Sequence, residues 1–190
     1  NPALIGTSYT DDYVVPSAAV KLNITDNLRC AATMVDNNGG SVTYAVPKPS
    51  GKLSEDFTTN EKALTCGVKL QAGPGNFWIL GGGYVEDFQY SRVNVTPIPG
   101  ALANLTLDGQ KFGYRIGAAY EIPDIAFRAQ LMYRSGTDYG AAGTLAVPGA
   151  LLGLPVASVP LAALGTGHLP QTVEFKLQSG IAPGWLAFGS

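Results

Sequence analysis

The segment from Gln110 to Ser135 alternates between apolar side chains and small or polar ones along almost its whole length. Aromatic residues such as Phe112 fall on one face of an extended chain and charged residues such as Arg115 on the other, because successive side chains of a β-strand point to opposite faces. The alternation stops at Ile122-Pro123-Asp124 and then resumes. The segment therefore predicts a β-hairpin with a tight turn and two chemically different faces.

Two classes of protein use such a hairpin, and they differ in which face meets water. In a soluble β-sandwich the aromatic face would pack into the core and the charged face would meet bulk water. In an outer-membrane β-barrel the aromatic face would meet lipid and the charged face would line the lumen. The hairpin fits both classes, so the rest of the chain has to separate them.

The composition narrows the range of functions. Charged residues make up 14% of the 190 residues, against about 25% in typical soluble domains. The net charge is −2 and the basic residues are scattered, which argues against a nucleic-acid partner. Cys30 and Cys66 lie on separate predicted strands, where they form either two buried thiols or, in an oxidising compartment, a disulfide.

The lengths of the connections favour the membrane barrel. Strands are predicted in pairs, with short turns inside the pairs at 23–27, 73–76, 122–124 and 179–184. Long loops are predicted between the pairs, at 47–60, 96–109 and 138–168. Short turns at one end and long loops at the other are typical of outer-membrane barrels, whereas soluble sandwiches mix their loop lengths through Greek-key connections.

The longest of these loops is strongly apolar. No charged residue lies between Asp138 and His168, and Leu, Ala, Val, Gly and Pro dominate. The prolines and glycines would interrupt a membrane-spanning helix repeatedly. The sequence therefore predicts an apolar, partly helical loop that packs on the protein or contacts an apolar ligand. Its candidate ligand contacts are Leu151, Leu152 and Leu154.

A run of turn-forming residues interrupts an early strand pattern. It consists of Asp36, Asn37, Asn38, Gly39 and Gly40. Because Gly and Asn tolerate positive φ angles, the run predicts either a kink or bulge within a continuing strand, or an ordinary loop.

Several short motifs resemble one family of bacterial outer-membrane proteins. The opening Asn1-Pro2-Ala3-Leu4-Ile5 resembles the segment that closes the family's N-terminal plug, and residues 112–123 resemble its central hairpin. Leu131-Met132-Tyr133-Arg134-Ser135 resembles the end of the second arm, and Leu169-Pro170 the point where the chain re-enters the wall. The family is that of the outer-membrane transporters of long-chain fatty acids and aromatic hydrocarbons, which includes the toluene and xylene channels.

The resemblance implies an all-β fold, an antiparallel transmembrane β-barrel of fourteen strands with a plug. This chain is expected to form an incomplete portion of about eight strands. Residues 1–13 would end the plug, with Asn1, Pro2 and Ala3 as its motif, and residues 14–190 would form part of the wall. The run at 36–40 would be a wall kink that opens sideways, and the loop at 138–168 would help to form an extracellular groove that captures ligand.

The function implied is passive uptake of a hydrophobic molecule across the bacterial outer membrane. The expected partners are a long-chain fatty acid or hydrocarbon, outer-membrane lipid and lipopolysaccharide; the protein is expected to be a monomer without cofactor or metal. Candidate contacts for a ligand carboxylate are Arg92, Arg115, Arg128 and Arg134. Each of these could instead be a structural lumen arginine, paired with Glu86, Glu121 or Asp87.

Two other functions are weighed against transport. A soluble or surface β-sandwich that binds a hydrophobic ligand would use the aromatic faces as an ordinary core. An enzyme is not expected, because His168 is the only histidine and no nucleophile or metal-ligand spacing accompanies it. Glu86 and Asp87 are adjacent in a predicted strand and therefore face opposite ways, which argues against a paired acid-base site.

Overall fold

The structure is a computed structural model that describes residues 6, 8–12 and 14–190. The proposed plug motif at Asn1, Pro2 and Ala3 lies outside the described residues. No helix in the described ranges is long and apolar enough to cross a membrane.

Ten antiparallel strands form one sheet. They are β1 (Ser17–Asn23), β2 (Leu28–Thr43), β3 (Lys52–Ala72), β4 (Gly75–Val95), β5 (Leu102–Ile122), β6 (Phe127–Arg134), β7 (Thr137–Pro148), β8 (Ser158–Leu169), β9 (Thr172–Ala182) and β10 (Trp185–Gly189). Short 3-10 turns lie at Pro123–Ile125 and Gly149–Leu152.

The ten segments make up eight wall strands. β6 and β7 both pair with β5, one with each half, as the pairs Ile116 with Tyr133 and Leu105 with Leu145 show. They are therefore one long strand with a break at residues 135–136, and β8 and β9 form a second such strand. The sheet is an antiparallel, curled half-barrel. The predicted all-β barrel fold of about eight strands is confirmed.

The outer face of the wall is apolar in the half that carries the short turns at 24–27, 73–74, 123–126 and 183–184, here called the short-turn end. On β5, Phe112 is 76% exposed and Ile116 57% exposed, whereas Ala119, on the other face, is 2% exposed. The ten strands form one sheet, so in the described ranges no second sheet covers these rings. The arrangement is that of a barrel wall and not of a sandwich core.

The apolar outer surface, here called the apolar band, covers only part of each long strand. On β4 it includes Phe77 and Ile79, but Gln89 and Ser91 occupy the same face farther along. A membrane-spanning strand needs about 9–11 residues, whereas β3, β4 and β5 each have 21. The strands therefore continue well beyond the apolar band, at what we call the long-hairpin end.

This extension corrects the three predicted loops. β3 already begins at Lys52 and β5 at Leu102, and β7 and β8 fill most of 138–168. The apolar segment is a β-hairpin, not a partly helical loop. Small residues permit this pairing: a Cβ on Gly143 would collide with the backbone oxygen of Thr106, so glycine allows β7 to approach β5.

The run at 36–40 lies inside β2, which continues through it. Asp36 pairs with Asn60 and Asn38 with Thr59, so Asn37 is an extra residue that produces a β-bulge. Of the two predicted alternatives, the structure has the bulge and not the loop. Its role as a sideways opening stays a prediction.

The two cysteines form a disulfide that joins β2 to β3. Cys30 and Cys66 are directly opposed in the ladder. Their positions in the alternation place them on the same outer face as Met34 and Leu64, which are 40% and 57% exposed. Of the two alternatives that the sequence left open, the structure has the disulfide.

Candidate functional site

Four charged side chains meet on the inner face of the wall, near the middle of the long strands. Glu61 of β3 is paired with Glu86 of β4, and both are fully buried. Arg134 of β6 donates from Nε to Glu61 Oε2 and from Nη2 to Glu86 Oε2, both at 2.8 Å. Arg115 of β5 also forms an ion pair with Glu61. This waist cluster of two carboxylates and two guanidinium groups is neutral as a whole.

Neighbouring groups hold the waist cluster in place. Thr137 Oγ1 donates to Glu86 Oε2 at 3.1 Å. The guanidinium of Arg134 lies 4.3 Å from the ring centre of Tyr84, whose hydroxyl donates to the backbone oxygen of Ser135 at 2.7 Å. Ser135 sits at the break between β6 and β7, so the break itself is anchored to β4.

Some polar atoms of this region are buried without a hydrogen-bond partner in the described part of the chain. They include Arg115 Nε. Buried polar groups usually find a partner in protein or ordered water. The waist cluster therefore keeps hydrogen-bonding capacity for water or for the polar end of a ligand.

The four candidate arginines occupy three different places. Arg115 and Arg134 belong to the waist cluster. Arg128 lies nearer the short-turn end, where it donates to Glu121 at 3.3 Å. Arg92 lies at the long-hairpin end and donates to Asn94 at 2.8 Å.

Two of the three predicted structural partners of the arginines, Glu86 and Glu121, are found. Arg134 pairs with Glu86, and Arg128 with Glu121. Asp87 instead lies on the outer face, where it accepts from Lys62 at 2.8 Å. Each of these arginines except Arg92 is therefore an ion-paired lumen residue; whether any of them also contacts a ligand stays a prediction.

Sequence reasoning missed Glu61, the carboxylate that two arginines share. The predicted loop at 47–60 ends directly before it, so Glu61 was not assigned to the inner face of a strand. The alternation of the strand could have indicated it. Thr59, Glu61 and Ala63 extend the inward-facing positions of β3 towards its N-terminus, and all three are buried.

An aromatic layer lies next to the waist cluster on the side of the long-hairpin end. Phe57, Phe88 and Tyr139 form it, with ring centres 5.5 Å apart for the first pair and 5.0 Å for the second. Leu107 is also buried on the inner face here. These side chains give the lumen an apolar lining directly beside the ionic cluster.

Beyond the apolar band, towards the long-hairpin end, a cluster of polar side chains lines the inner face. The hydroxyl of Tyr90 donates to Glu55 Oε1 at 2.5 Å, and Lys52 forms an ion pair with the same carboxylate. Hydrogen bonds from Lys52 and then from Tyr90 lower the pKa of Glu55. Burial and the hydrogen bond to Glu55 raise the pKa of Tyr90.

The bulge separates two cavities. A lumen-side cavity of about 750 Å³ is lined by Arg115 and Arg134 and reaches Asn37 and Asn38. A smaller cavity of about 140 Å³ is lined by the same two asparagines and by Val14. Asn37 and Asn38 are thus the residues shared between the two spaces.

The ladder beside the bulge is interrupted. Pairing between β1 and β2 ends at Ser17 and Val35, and the next bridge, from Thr10, reaches Val42. Among the described residues, Asn38 is held from the β3 side only, by a hydrogen bond of 3.1 Å from its backbone N–H to Thr59 Oγ1. In the part of the chain that the structure describes, the wall therefore has fewer strand-to-strand hydrogen bonds at the bulge than between the bulge and the short-turn end.

The candidate leucines lie far along the chain from this region, at the tip of the β7–β8 hairpin. Leu151, Leu152 and Leu154 are 43%, 48% and 46% exposed. They form an exposed apolar patch at the long-hairpin end and do not line either cavity at the bulge.

Comparison with known proteins supports the fold. No family model and no curated protein matches the sequence. Among solved structures, the chain is similar to a Pseudomonas aeruginosa FadL homologue with a TM-score of 0.68 and 15% sequence identity. The similarity covers 88% of this chain but 45% of the other, so the chain spans less than half the length of that structure. At this identity the likeness establishes a shared fold alone.

Proposed function

We propose that the protein is part of a passive uptake channel for long-chain fatty acids or similar hydrophobic molecules in the bacterial outer membrane. The observation that carries the proposal is the continuity between the buried waist cluster and the bulge. A lumen-side cavity joins Arg115 and Arg134 to Asn37 and Asn38, and the bulge lies directly beyond Met34, the last outward apolar residue of β2. Such an arrangement offers a ligand a way from the lumen to the outer face at the edge of the apolar band.

Capture would occur on the leucines of the β7–β8 tip. An apolar chain that leaves water for such a patch gains about 0.8 kcal/mol per CH₂ group. Leu151, Leu152 and Leu154 are exposed and hydrophobic, and no charged residue lies between Asp138 and His168. The patch would therefore favour the apolar part of a ligand without a specific polar contact.

The ligand would then move along the inner face towards the waist cluster. The aromatic layer formed by Phe57, Phe88 and Tyr139 gives its apolar part a continuous surface. At the waist cluster, Arg115 Nε, which lacks a partner among the described residues, can donate to a polar head group as it passes.

Release would occur sideways at the bulge. The ladder from β1 stops next to it, and Asn37 and Asn38 line both the lumen-side cavity and the smaller outer one. Each step is a transfer between surfaces, so the proposed role needs no catalytic residue, metal or cofactor. The partners would be the ligand, outer-membrane lipid and lipopolysaccharide, and the protein would act as a monomer.

Deletion of Asn37 tests the proposal. Without this extra residue the ladder between β2 and β3 becomes regular and the opening closes. The measurement is uptake of radiolabelled oleate by bacteria that carry the full-length protein in the outer membrane and have no other oleate transporter. We expect the deletion to reduce uptake at least tenfold.

Gly81→Ala is the control, because a Cβ at Gly81 would meet no atom within 4 Å. Gly81 lies on the outer face of β4, away from the bulge, and the change should leave uptake and folding unchanged. Normal uptake by a deletion variant that is folded and present at normal levels would overturn the proposal of exit through the bulge.

A further inference from the structure

A second pocket on the inner face lies between the waist cluster and the short-turn end, and it contains none of the waist residues. Its volume is about 260 Å³. Trp78, Leu80 and Met132 form its apolar floor, and Trp78 and Leu80 are 4% and 9% exposed. Lys21 and Arg29 are basic residues at its rim.

The basic side of this pocket has an excess of positive charge. Arg29 lies over the ring of Trp78, with 4.8 Å between the guanidinium carbon and the ring centre. Within the described part of the chain, neither Arg29 nor Lys21 forms an ion pair. A third basic lining residue, Arg128, is already paired with Glu121. Two cations of the pocket can thus receive an anion.

The floor of the pocket carries an unsatisfied donor. The indole Nε1 of Trp78 is buried without a hydrogen-bond partner among the described residues. A buried donor that lacks a partner is unfavourable, because it has lost its hydrogen bond to water. A ligand oxygen that accepts from this N–H would restore the bond, so the pocket offers both a donor and a positive charge to an acceptor.

The waist cluster, by contrast, has no excess positive charge for a ligand. Its two arginines are already neutralised by Glu61 and Glu86, which are fully buried. A ligand carboxylate that stopped there would add an uncompensated charge beside two buried carboxylates, which is unfavourable. A carboxylate is therefore better received where the cations lack partners.

We propose that this pocket, lined by Lys21, Arg29 and Trp78, binds the carboxylate of an amphiphilic ligand. Arg29 and Lys21 neutralise the carboxylate, Trp78 Nε1 donates to it, and Leu80 and Met132 contact the first part of the apolar body. The pocket is slightly smaller than the roughly 300–1,000 Å³ of typical ligand sites, so the rest of the chain extends into the lumen. The inference rests on the proposed function and narrows its ligand to carboxylates, with neutral hydrocarbons excluded from this site.

The test compares two ligands that differ only in the head group. Binding of radiolabelled decanoate and decanol to the full-length protein in detergent is measured by equilibrium dialysis at pH 8. We expect decanoate to bind at least tenfold more tightly than decanol. The double variant Lys21→Gln with Arg29→Gln should lose at least tenfold in decanoate affinity and leave decanol affinity unchanged.

Two further variants exclude a general loss of structure or charge. Lys62→Gln removes a basic residue from the outer face of β3, away from the pocket, and it should bind decanoate normally. Trp78→Phe keeps an aromatic ring but removes the donor, and it should weaken decanoate binding about threefold or more. Equal affinities for decanoate and decanol, or normal decanoate binding by the double variant, would overturn the proposal.

The outcome is separable from that of the uptake experiment. If deletion of Asn37 leaves uptake intact while the pocket binds decanoate selectively, exit through the bulge is wrong and the pocket stands. If the deletion abolishes uptake while the pocket does not discriminate between the ligands, the transport proposal stands and the pocket is wrong.

Discussion

Glu61 and Glu86 lie directly opposite each other on neighbouring strands, and neither is exposed. Two buried carboxylates at this spacing repel each other unless positive charge lies between them. Arg134 provides it with one hydrogen bond of 2.8 Å to each. The three residues join β3, β4 and β6 across the inner face of the wall.

Replacement of Arg134 by Met should therefore destabilise the fold strongly. The change leaves Glu86 without its cation and Glu61 with only Arg115, and loss of one partner of a buried ion pair costs about 3–5 kcal/mol. The measurement is the free energy of unfolding in urea. Arg92→Met is the control: Arg92 donates to Asn94 at the long-hairpin end, and loss of one such hydrogen bond should cost about 1 kcal/mol or less.

A second variant separates charge from packing. Arg134→Met combined with Glu86→Gln removes the carboxylate that has lost its cation, keeps the ion pair of Glu61 with Arg115 and should recover at least half of the lost stability. No recovery in the double variant would contradict the description of the waist cluster as a charge-compensated unit.

The disulfide between Cys30 and Cys66 should stabilise the part of the wall between the bulge and the short-turn end. It crosses between β2 and β3 and closes a loop with a sequence separation of 36 residues. Disulfides of this kind contribute about 2–4 kcal/mol. The double change to Ser should lower the free energy of unfolding by that amount, and added reductant should then have no further effect. An unchanged stability would contradict the prediction.

The stability of the long-hairpin end should depend on pH through Glu55. Hydrogen bonds from Lys52 and Tyr90 lower the pKa of Glu55 below its ordinary value of 4.5. A carboxyl whose pKa is lower in the folded state stabilises the fold above its unfolded pKa, and the contribution disappears as the pH falls through the folded pKa. The melting temperature of the wild type should exceed that of Glu55→Gln at pH 7.

At about pH 3 this difference between wild type and Glu55→Gln should be smaller, because the wild-type carboxyl is then increasingly protonated. A difference that stays constant or grows as the pH falls below 4.5, the ordinary pKa, would contradict the assigned role of Glu55. Asp56→Asn provides a matched control for charge, since Asp56 is exposed on the opposite face of the same strand.

The sequence predicted the central hairpin because its two faces differ chemically. Phe112 and Ile116 are large and apolar, whereas Lys111 and Arg115 are charged, so a period of two is visible without further information. The bulge was also visible, since five turn-forming residues interrupt a strand. Its position beside the end of β1 was not, because it depends on the register of β1 against β2.

Other parts could not be predicted for physical reasons. β7 and β8 consist largely of Ala, Gly, Leu and Pro, whose two faces look alike in sequence and so produce no alternation. The waist cluster depends on contacts between distant residues: Arg134 reaches Glu61 across 73 residues of sequence. The pairing of Cys30 with Cys66 likewise needed the register of β2 and β3.

The central claim is that the aromatic and aliphatic residues of the outer face lie in hydrocarbon while the opposite face lines a lumen. It predicts that brominated lipids quench an outward tryptophan and spare an inward one. Two variants with one tryptophan each provide the test. Trp185→Phe leaves Trp78, which is 4% exposed on the inner face, and Ile116→Trp combined with Trp78→Phe and Trp185→Phe places the probe on the outer face.

After reconstitution into vesicles of brominated phosphatidylcholine, fluorescence of the outward probe should fall at least twofold relative to unbrominated lipid. Fluorescence of Trp78 should change little. Equal quenching of both probes, or none of the outward probe, would contradict the assignment of the two faces, and with it the proposed path from the lumen through the wall.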